Sequence, residues 1–208
     1  MPDSVKNRIT KGVNALDLSL TESQIDLLEA YLNLLMKWNK AFNLSAIRNI
    51  DEAVDKHLID SLSLVPEMIA GKRYLDIGAG AGLPGIPLAI ACPEITVTMV
   101  DSNGKKTRFI QQVISQLSIN NAAVIQSRIE AIPEVEFDVV MARALGTLAQ
   151  MLSWLGDKFT DSHQMLAMKG VFPEEELSAL PSHYKVNDIK ALSVPGIDAE
   201  RHLVWLSR

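Results

Sequence analysis

Cysteine is almost absent from this chain: Cys92 is the only one in 208 residues. One cysteine excludes an internal disulfide and a thiolate metal cluster, and such usage suits a reducing cytoplasm. Long apolar runs are also lacking. None reaches the ~18 uninterrupted residues a membrane helix needs. Met1 to Lys11 alternate polar and charged residues, without the apolar stretch of a secretory signal. Positive charge is not in excess either, with 20 Lys and Arg against 25 Asp and Glu and a net charge of −5. Global charge therefore does not announce a nucleic-acid partner, and any such surface must be local. His57, His163, His183 and His202 are scattered without ligand spacing, so no metal is expected.

What is present suffices for one α/β domain with a modest extension, since 48% of the residues are hydrophobic. Thr21 to Ala41 reads as a helix: Thr21 and Gln24 form a capping box, and Ile25, Leu28, Leu32 and Leu35 follow at 3- and 4-residue steps. A second helix is expected from Asp51 to about Leu64, before Pro66. Residues 1–71 thus form a helical prelude. From Lys72 the pattern alternates, with strands expected at Arg73 to Ile77, Thr96 to Val100, Ala122 to Gln126, Phe137 to Met141 and Gln164 to Met168. Helices are expected at Ile86 to Ala91, Asn103 to Leu117 and Leu145 to Leu155. Lys185 to Ser193 and His202 to Ser207 read as a closing antiparallel pair. Alternation of this kind over 72–208 predicts a doubly wound, mostly parallel sheet.

The stretch Asp76-Ile-Gly78-Ala-Gly80-Ala-Gly82-Leu83-Pro84-Gly85 carries the most information. Glycines directly after a first strand let backbone amides approach a ligand, which in such sheets binds beyond the carboxyl ends of the strands. Asp101, at the tip of the second strand, is placed to accept hydrogen bonds from both ribose hydroxyls of an adenosine. The pattern GxGxxG over Gly80 to Gly85 also fits NAD. Two details favour S-adenosylmethionine. Asp76, within the strand, can help hold an ammonium and would repel a pyrophosphate, and the glycines alternate from Gly78 onward.

Methyl transfer from a sulfonium needs positioning more than a dedicated acid or base. Methylation of a pyrimidine carbon needs a cysteine nucleophile, and Cys92 lies away from the loop edge. Transfer to an exocyclic amine commonly uses an Asn-Pro-Pro-Tyr-like turn after the fourth strand, where this chain has Met141-Ala-Arg-Ala144. A ring nitrogen such as guanine N7 fits what remains. His57 and Asp60, at i and i+3 of one helix, are spaced to pair.

Nearly the whole chain resembles the RsmG (GidB) methyltransferases. The resemblance lies in Trp38-Asn-Lys-Ala-Phe-Asn-Leu-Ser45, His57-Leu-Ile-Asp-Ser-Leu62, Leu75-Asp-Ile-Gly-Ala-Gly-Ala-Gly-Leu-Pro-Gly-Ile-Pro-Leu88, Asp101-Ser-Asn-Gly-Lys-Lys106, Ser127-Arg-Ile-Glu130, Met141-Ala-Arg-Ala144, Lys169-Gly170 and Glu200-Arg-His-Leu-Val204. It implies a class I S-adenosylmethionine-dependent methyltransferase, Rossmann-like, with a mostly parallel seven-stranded sheet, helices on both faces and an N-terminal helical extension. The implied reaction makes N7-methylguanosine at position 527 of 16S rRNA. Gly78, Leu83, Ile129 and Glu130 would contact the cofactor, with Arg143 in the same site; Gly80 and Asp101 join them from the glycine motif.

For RNA, Lys105, Lys106, Arg108 and Lys169 are candidates near the cofactor edge. Lys6, Arg8 and Lys11 are expected to form a mobile basic N-terminus, with Lys37, Lys40 and Arg48 beyond it. A cytoplasmic monomer acting on 16S rRNA or the small subunit is the leading expectation. Its rivals are a methyltransferase with a small-molecule substrate, an NAD-linked oxidoreductase and a non-catalytic ribosome-binding protein.

Overall fold

A computed structural model of the chain describes residues 4–208; Met1 to Asp3, the start of the segment read above for a secretory signal, lie outside the described residues. Residues expected to form a mobile terminus instead form helix α1 (Val5–Ala15), capped by the Ser4 side chain on the Asn7 amide. Its Ile9 and Val13 are buried, and burial of such side chains contributes roughly 1.5–3 kcal/mol each. The basic residues are tied down as well. Lys6 pairs with Glu22 and Asp26, and Arg8 with Asp55. The apolar i, i+4 pair was the available signal, obscured by the polar residues around it.

Helix α2 (Glu22–Phe42) has the expected capping box, with the Gln24 amide on Thr21 Oγ1 and the Thr21 amide on Gln24 Oε1. It buries Ile25, Leu28, Tyr31, Leu32 and Leu35 and ends at Asn43, whose φ is 53°. Helix α3 (Ile50–Ala53) continues through a π-helical stretch, Val54–Ile59, into α4 (Asp60–Leu62). The wider π turn carries residues three apart onto different faces. His57 and Asp60 consequently do not bond to each other, contrary to the expected pairing; His57 Nε2 meets Ser45 Oγ at 2.8 Å, and Asp60 faces two arginines.

The sheet follows: β1 (Arg73–Ile77), α5 (Gly85–Ala91), β2 (Thr96–Asp101), α6 (Gly104–Leu117), β3 (Ala122–Gln126), β4 (Val139–Arg143), α7 (Leu148–Leu155), β5 (Gln164–Lys169), α8 (Glu174–Ser178), β6 (Lys185–Ala191) and β7 (His202–Ser207). The seven strands run in the order β3-β2-β1-β4-β5-β7-β6. The first five are parallel, and β7 is antiparallel to both β5 and β6. Strand β1, flanked by β2 and β4, is buried from Tyr74 to Ile77, the buried Asp76 among them. The fourth strand begins two residues later than expected and reaches Arg143, because Asp138 instead anchors Arg73 at the strand's foot. Short α8 was not anticipated; three successive glutamates favour its first turn but bury nothing.

One core cluster joins the N-terminal helices to α5, α6 and one sheet face; the other packs α7 on the opposite face. The first reaches directly into the glycine loop. The buried Tyr31 hydroxyl donates to the Ala81 carbonyl at 2.9 Å, and Gln24 Nε2 donates to the carbonyls of Ile90 and Ala91. None of the described helices is long and apolar enough to cross a membrane.

Candidate active site

Between β1 and α5 the chain turns tightly, with the Gly82 and Leu83 amides on the Ala79 carbonyl at 2.8 and 2.9 Å and the Ala79 amide on Val100. At Gly78 φ is +66°, and a Cβ would overlap the Leu145 side chain, so only glycine fits. At Gly85 a Cβ would lie 2.7 Å from Asp76 Oδ2. That closeness lets the Gly85 amide donate to Asp76 at 2.9 Å. Asp76 is fully buried, and burial, opposed by the Gly85 bond, pushes its carboxyl up to about 7. Its Oδ1 is the one buried side-chain polar atom among the described residues with no hydrogen-bond partner. An orphaned carboxylate oxygen behind this loop suits a cationic ligand group, although Asp76 lines neither cavity described next.

A cleft of about 610 Å³ opens beyond β1, β2 and β3, lined by Gly78, Asp101, Lys106, Ile129, Glu130 and Trp154 among others. Asp101 Oδ2 accepts the Gly80 amide at 2.9 Å and Oδ1 the Asn103 amide at 2.8 Å, which fixes the carboxylate at the rim. Ile129 and Glu130 sit in a 3-10 turn, Ile129–Ala131, brought close by the Ser127 amide bonding to the Asp101 carbonyl.

Beside it lies a pocket of about 410 Å³, lined by Lys56, His57, Asp60, Arg143, Lys169 and Arg201 among others. Asp60, its side chain only 5% exposed, accepts from Arg143 Nη1 at 2.9 Å on one oxygen and from Arg201 Nε at 2.7 Å on the other. Arg143 also donates to the Lys56 carbonyl. Lys169 binds Glu176 Oε2 and the Gly146 carbonyl, both at 2.7 Å. Burial, with the nearby Arg143 charge, pushes the His57 imidazole down to about 4, so it is neutral near pH 7. Ala144 and Leu145 line both cavities, and Ala144 adopts φ +51°, an uncommon backbone state for a residue other than glycine.

Of the residues singled out in the sequence, Gly78, Asp101, Lys106, Ile129 and Glu130 meet in the cleft, whereas Arg143 and Lys169 line the neighbouring pocket. Gly80 closes the loop through its amide, and Leu83 is buried behind it without lining either cavity. Lys105 and Arg108 line neither, and Arg108 Nε donates to the Gly104 carbonyl. No group of three or more His, Cys, Asp or Glu able to hold a metal occurs among the described residues. Cys92 is buried and its thiol is pushed up to about 12, so it is no nucleophile.

The family profile GidB, described as rRNA small subunit methyltransferase G, matches residues 24–204. The chain belongs to this family. The ribosomal RNA small subunit methyltransferase G of Chromobacterium violaceum is 47% identical over 197 residues, 94% of each chain. The protein of the same name from Pseudomonas aeruginosa is 47% identical over 97% of this chain and 95% of that one. Among solved structures, coclaurine N-methyltransferase superposes with a TM-score of 0.58 at 9% identity, covering 98% and 93% of the two chains. TrmN from Thermus thermophilus gives 0.55 at 15% identity, covering 82% of this chain and 53% of that one. These place the fold in class I of the S-adenosylmethionine-dependent methyltransferases, and the small-molecule and NAD-linked alternatives are not favoured.

Within this family frame, sequence reading passed over Lys56, Trp154 and Arg201 and gave Asp60 the wrong partner. Arg201 had a usable signal: it precedes the last strand, and an antiparallel β7 must begin where β5 ends, as the pairing of Lys169 with His202 shows. Trp154, at the end of α7, had none, because its approach to the cleft depends on how α7 docks.

Proposed function

We propose that this chain transfers the methyl group of S-adenosylmethionine to N7 of the guanine at position 527 of 16S rRNA, as a monomer in the cytoplasm. The observation that carries the reading is the shared wall. A cleft with an acid suited to ribose hydroxyls and a cation-lined pocket meet at Ala144 and Leu145. One cavity suits an adenosine and the other a nucleotide, both within the volume range of ligand sites.

The cofactor supplies an electrophilic methyl group on a sulfonium. Asp101 accepts from the ribose hydroxyls, Ile129 and Trp154 wall the base, and Glu130 and the backbone near Gly78 bound the remainder of the cleft. In the pocket, Asp60 holds Arg143 and Arg201 so that their remaining N–H groups serve the nucleotide, a role for which the planar guanidinium is suited. Guanine N7 carries an in-plane lone pair, so no proton has to leave and no base is required. The ring becomes cationic on methylation. A neutral His57 adds no charge against it, and Asp60 offsets one of the two guanidiniums. Catalysis then lies in alignment and exclusion of water.

The test is methyl transfer from labelled S-adenosylmethionine to 16S rRNA, naked and in small subunits, from cells lacking the modification, followed by borohydride–aniline cleavage. A single labelled guanine at the stated position is expected. Label elsewhere, or none despite tight cofactor binding, overturns the assignment. Sedimentation at micromolar concentration checks the monomer.

A further inference from the structure

Beyond β5 the chain leaves the sheet at the mouth of the cation-lined pocket and exposes two large apolar side chains in succession, Val171 at 73% and Phe172 at 48%. Isolated apolar exposure is ordinary on protein surfaces. Here, however, the loop is fastened on every side. Lys169 is tied to Glu176 and Gly146. His202 Nδ1 lies 2.8 Å from the Gly170 carbonyl, and its ring meets that of Phe172 at 84° with centroids 5.6 Å apart. Pro173 is buried, and its carbonyl accepts the Leu177 amide to start α8. The Phe172 ring is therefore held in place while about half of it remains uncovered.

Charge near this ring is mixed. Lys56, Arg143, Lys169 and Arg201 line the pocket that Gly170 also lines, whereas Glu174 and Glu175 follow Phe172 in the chain at the start of α8. A phosphate is drawn toward the pocket and repelled by these glutamates; an uncharged nucleobase is barred by neither. An enzyme that reaches a base in folded RNA takes it out of its stack and leaves its neighbours uncovered, and aromatic side chains commonly receive such bases. We propose that Phe172 is a stacking platform for an unpaired nucleobase adjacent in the RNA to the guanine that enters the pocket, with Val171 packed beside it. This rests on the RNA reading above.

The experiment compares the unaltered chain with Phe172→Ala and Phe172→Trp, using unmodified 16S rRNA both naked and in small subunits. The expected result for Phe172→Ala is a KM for RNA raised about ten-fold with kcat and the cofactor Kd unchanged, the pattern of lost binding alone. Phe172→Trp is expected to restore KM, because it replaces the stacking face. An unchanged KM in Phe172→Ala overturns the proposal, as does a Phe172→Trp chain no better than Phe172→Ala. A rise confined to small subunits assigns the ring to a ribosomal protein and overturns it too. Failure of the unaltered chain to methylate either RNA removes the functional reading, and this proposal with it. Transfer with an indifferent Phe172 removes the platform alone.

Discussion

The cleft beyond β1 draws its wall from loop ends that follow β1, β2, β3 and β4, four neighbours in a parallel sheet, with Lys106 at the start of α6 and Trp154 at the end of α7 added from helices. The pocket that shares its Ala144–Leu145 wall is assembled from residues 56–60, the ends of β4 and β5, Met151 of α7 and Arg201. Its central contacts join positions 83 and 141 residues apart. Backbone amides dominate the geometry of the first; ionic side chains dominate the second. A cofactor recognised by its ribose can be served by a rigid local turn. A cation-lined cavity requires several charges to converge, and Asp60 makes that possible by bridging two guanidiniums that would otherwise repel each other.

The largest effect is expected from Asp60→Ala. Removing one partner of a buried ionic group typically costs roughly 3–5 kcal/mol, and the lower end applies because both arginines retain some solvent contact. Urea unfolding should show that loss, methyl transfer to RNA should disappear, and titration at a temperature where the variant is folded should show cofactor affinity retained. Undiminished transfer would break the division of labour between the cavities. Asp101→Ala should do the reverse. Charge-assisted hydrogen bonds contribute about 1.5–3 kcal/mol each, so calorimetry should find the cofactor Kd raised at least about ten-fold with RNA affinity unchanged.

Two buried titratable groups, Asp76 behind the glycine loop and His57 in the pocket, should also respond oppositely to pH. Burial pushes the carboxyl of Asp76 up to about 7 in the fold, above its ordinary value of 3.8. Its neutral form is favoured there, so the stability it contributes is present below the unfolded value and lost as pH rises through about 7. Melting temperatures of Asp76→Asn should gain on the parent from pH 4 to 8. Burial pushes His57 down to about 4, below its ordinary value of 6.5. Its contribution is present above 6.5 and lost as pH falls toward 4, and His57→Gln should lack that acid-side loss. Parallel profiles for the two variants would show that one of these groups has been placed in the wrong environment. The smallest effect sharpens the cleft alone: cofactor binding should change tryptophan fluorescence, and Trp154→Leu should remove most of the change. A response carried by Trp38 or Trp205 would take Trp154 off the wall.

Local chemistry made the cleft legible. Strand, glycines, helix and Asp101 lie within residues 73–117, and a parallel sheet leaves only one edge for such a loop. The strands and central helices followed from periodicity and caps, as the Thr21–Gln24 box illustrates. Helix α1 was misread because two buried aliphatics among charges look like a solvated tail until α2 and the π-helical stretch are there to cover them. The partners of Asp60 were missed because a π turn changes which side chains share a face, and turn width is not written in residue type.

By itself the sequence determined the alternation of strands and helices, the glycine turn with its acid and the family to which the chain belongs, since each depends on residues near one another along the chain. Only the tertiary structure decided that Arg143 and Arg201 share one buried carboxylate, that Tyr31 of the helical extension braces the glycine loop, and that the two cavities open onto a common wall. Those contacts link residues up to 141 positions apart. Their formation depends on the crossing of elements in space, which short-range propensity does not encode.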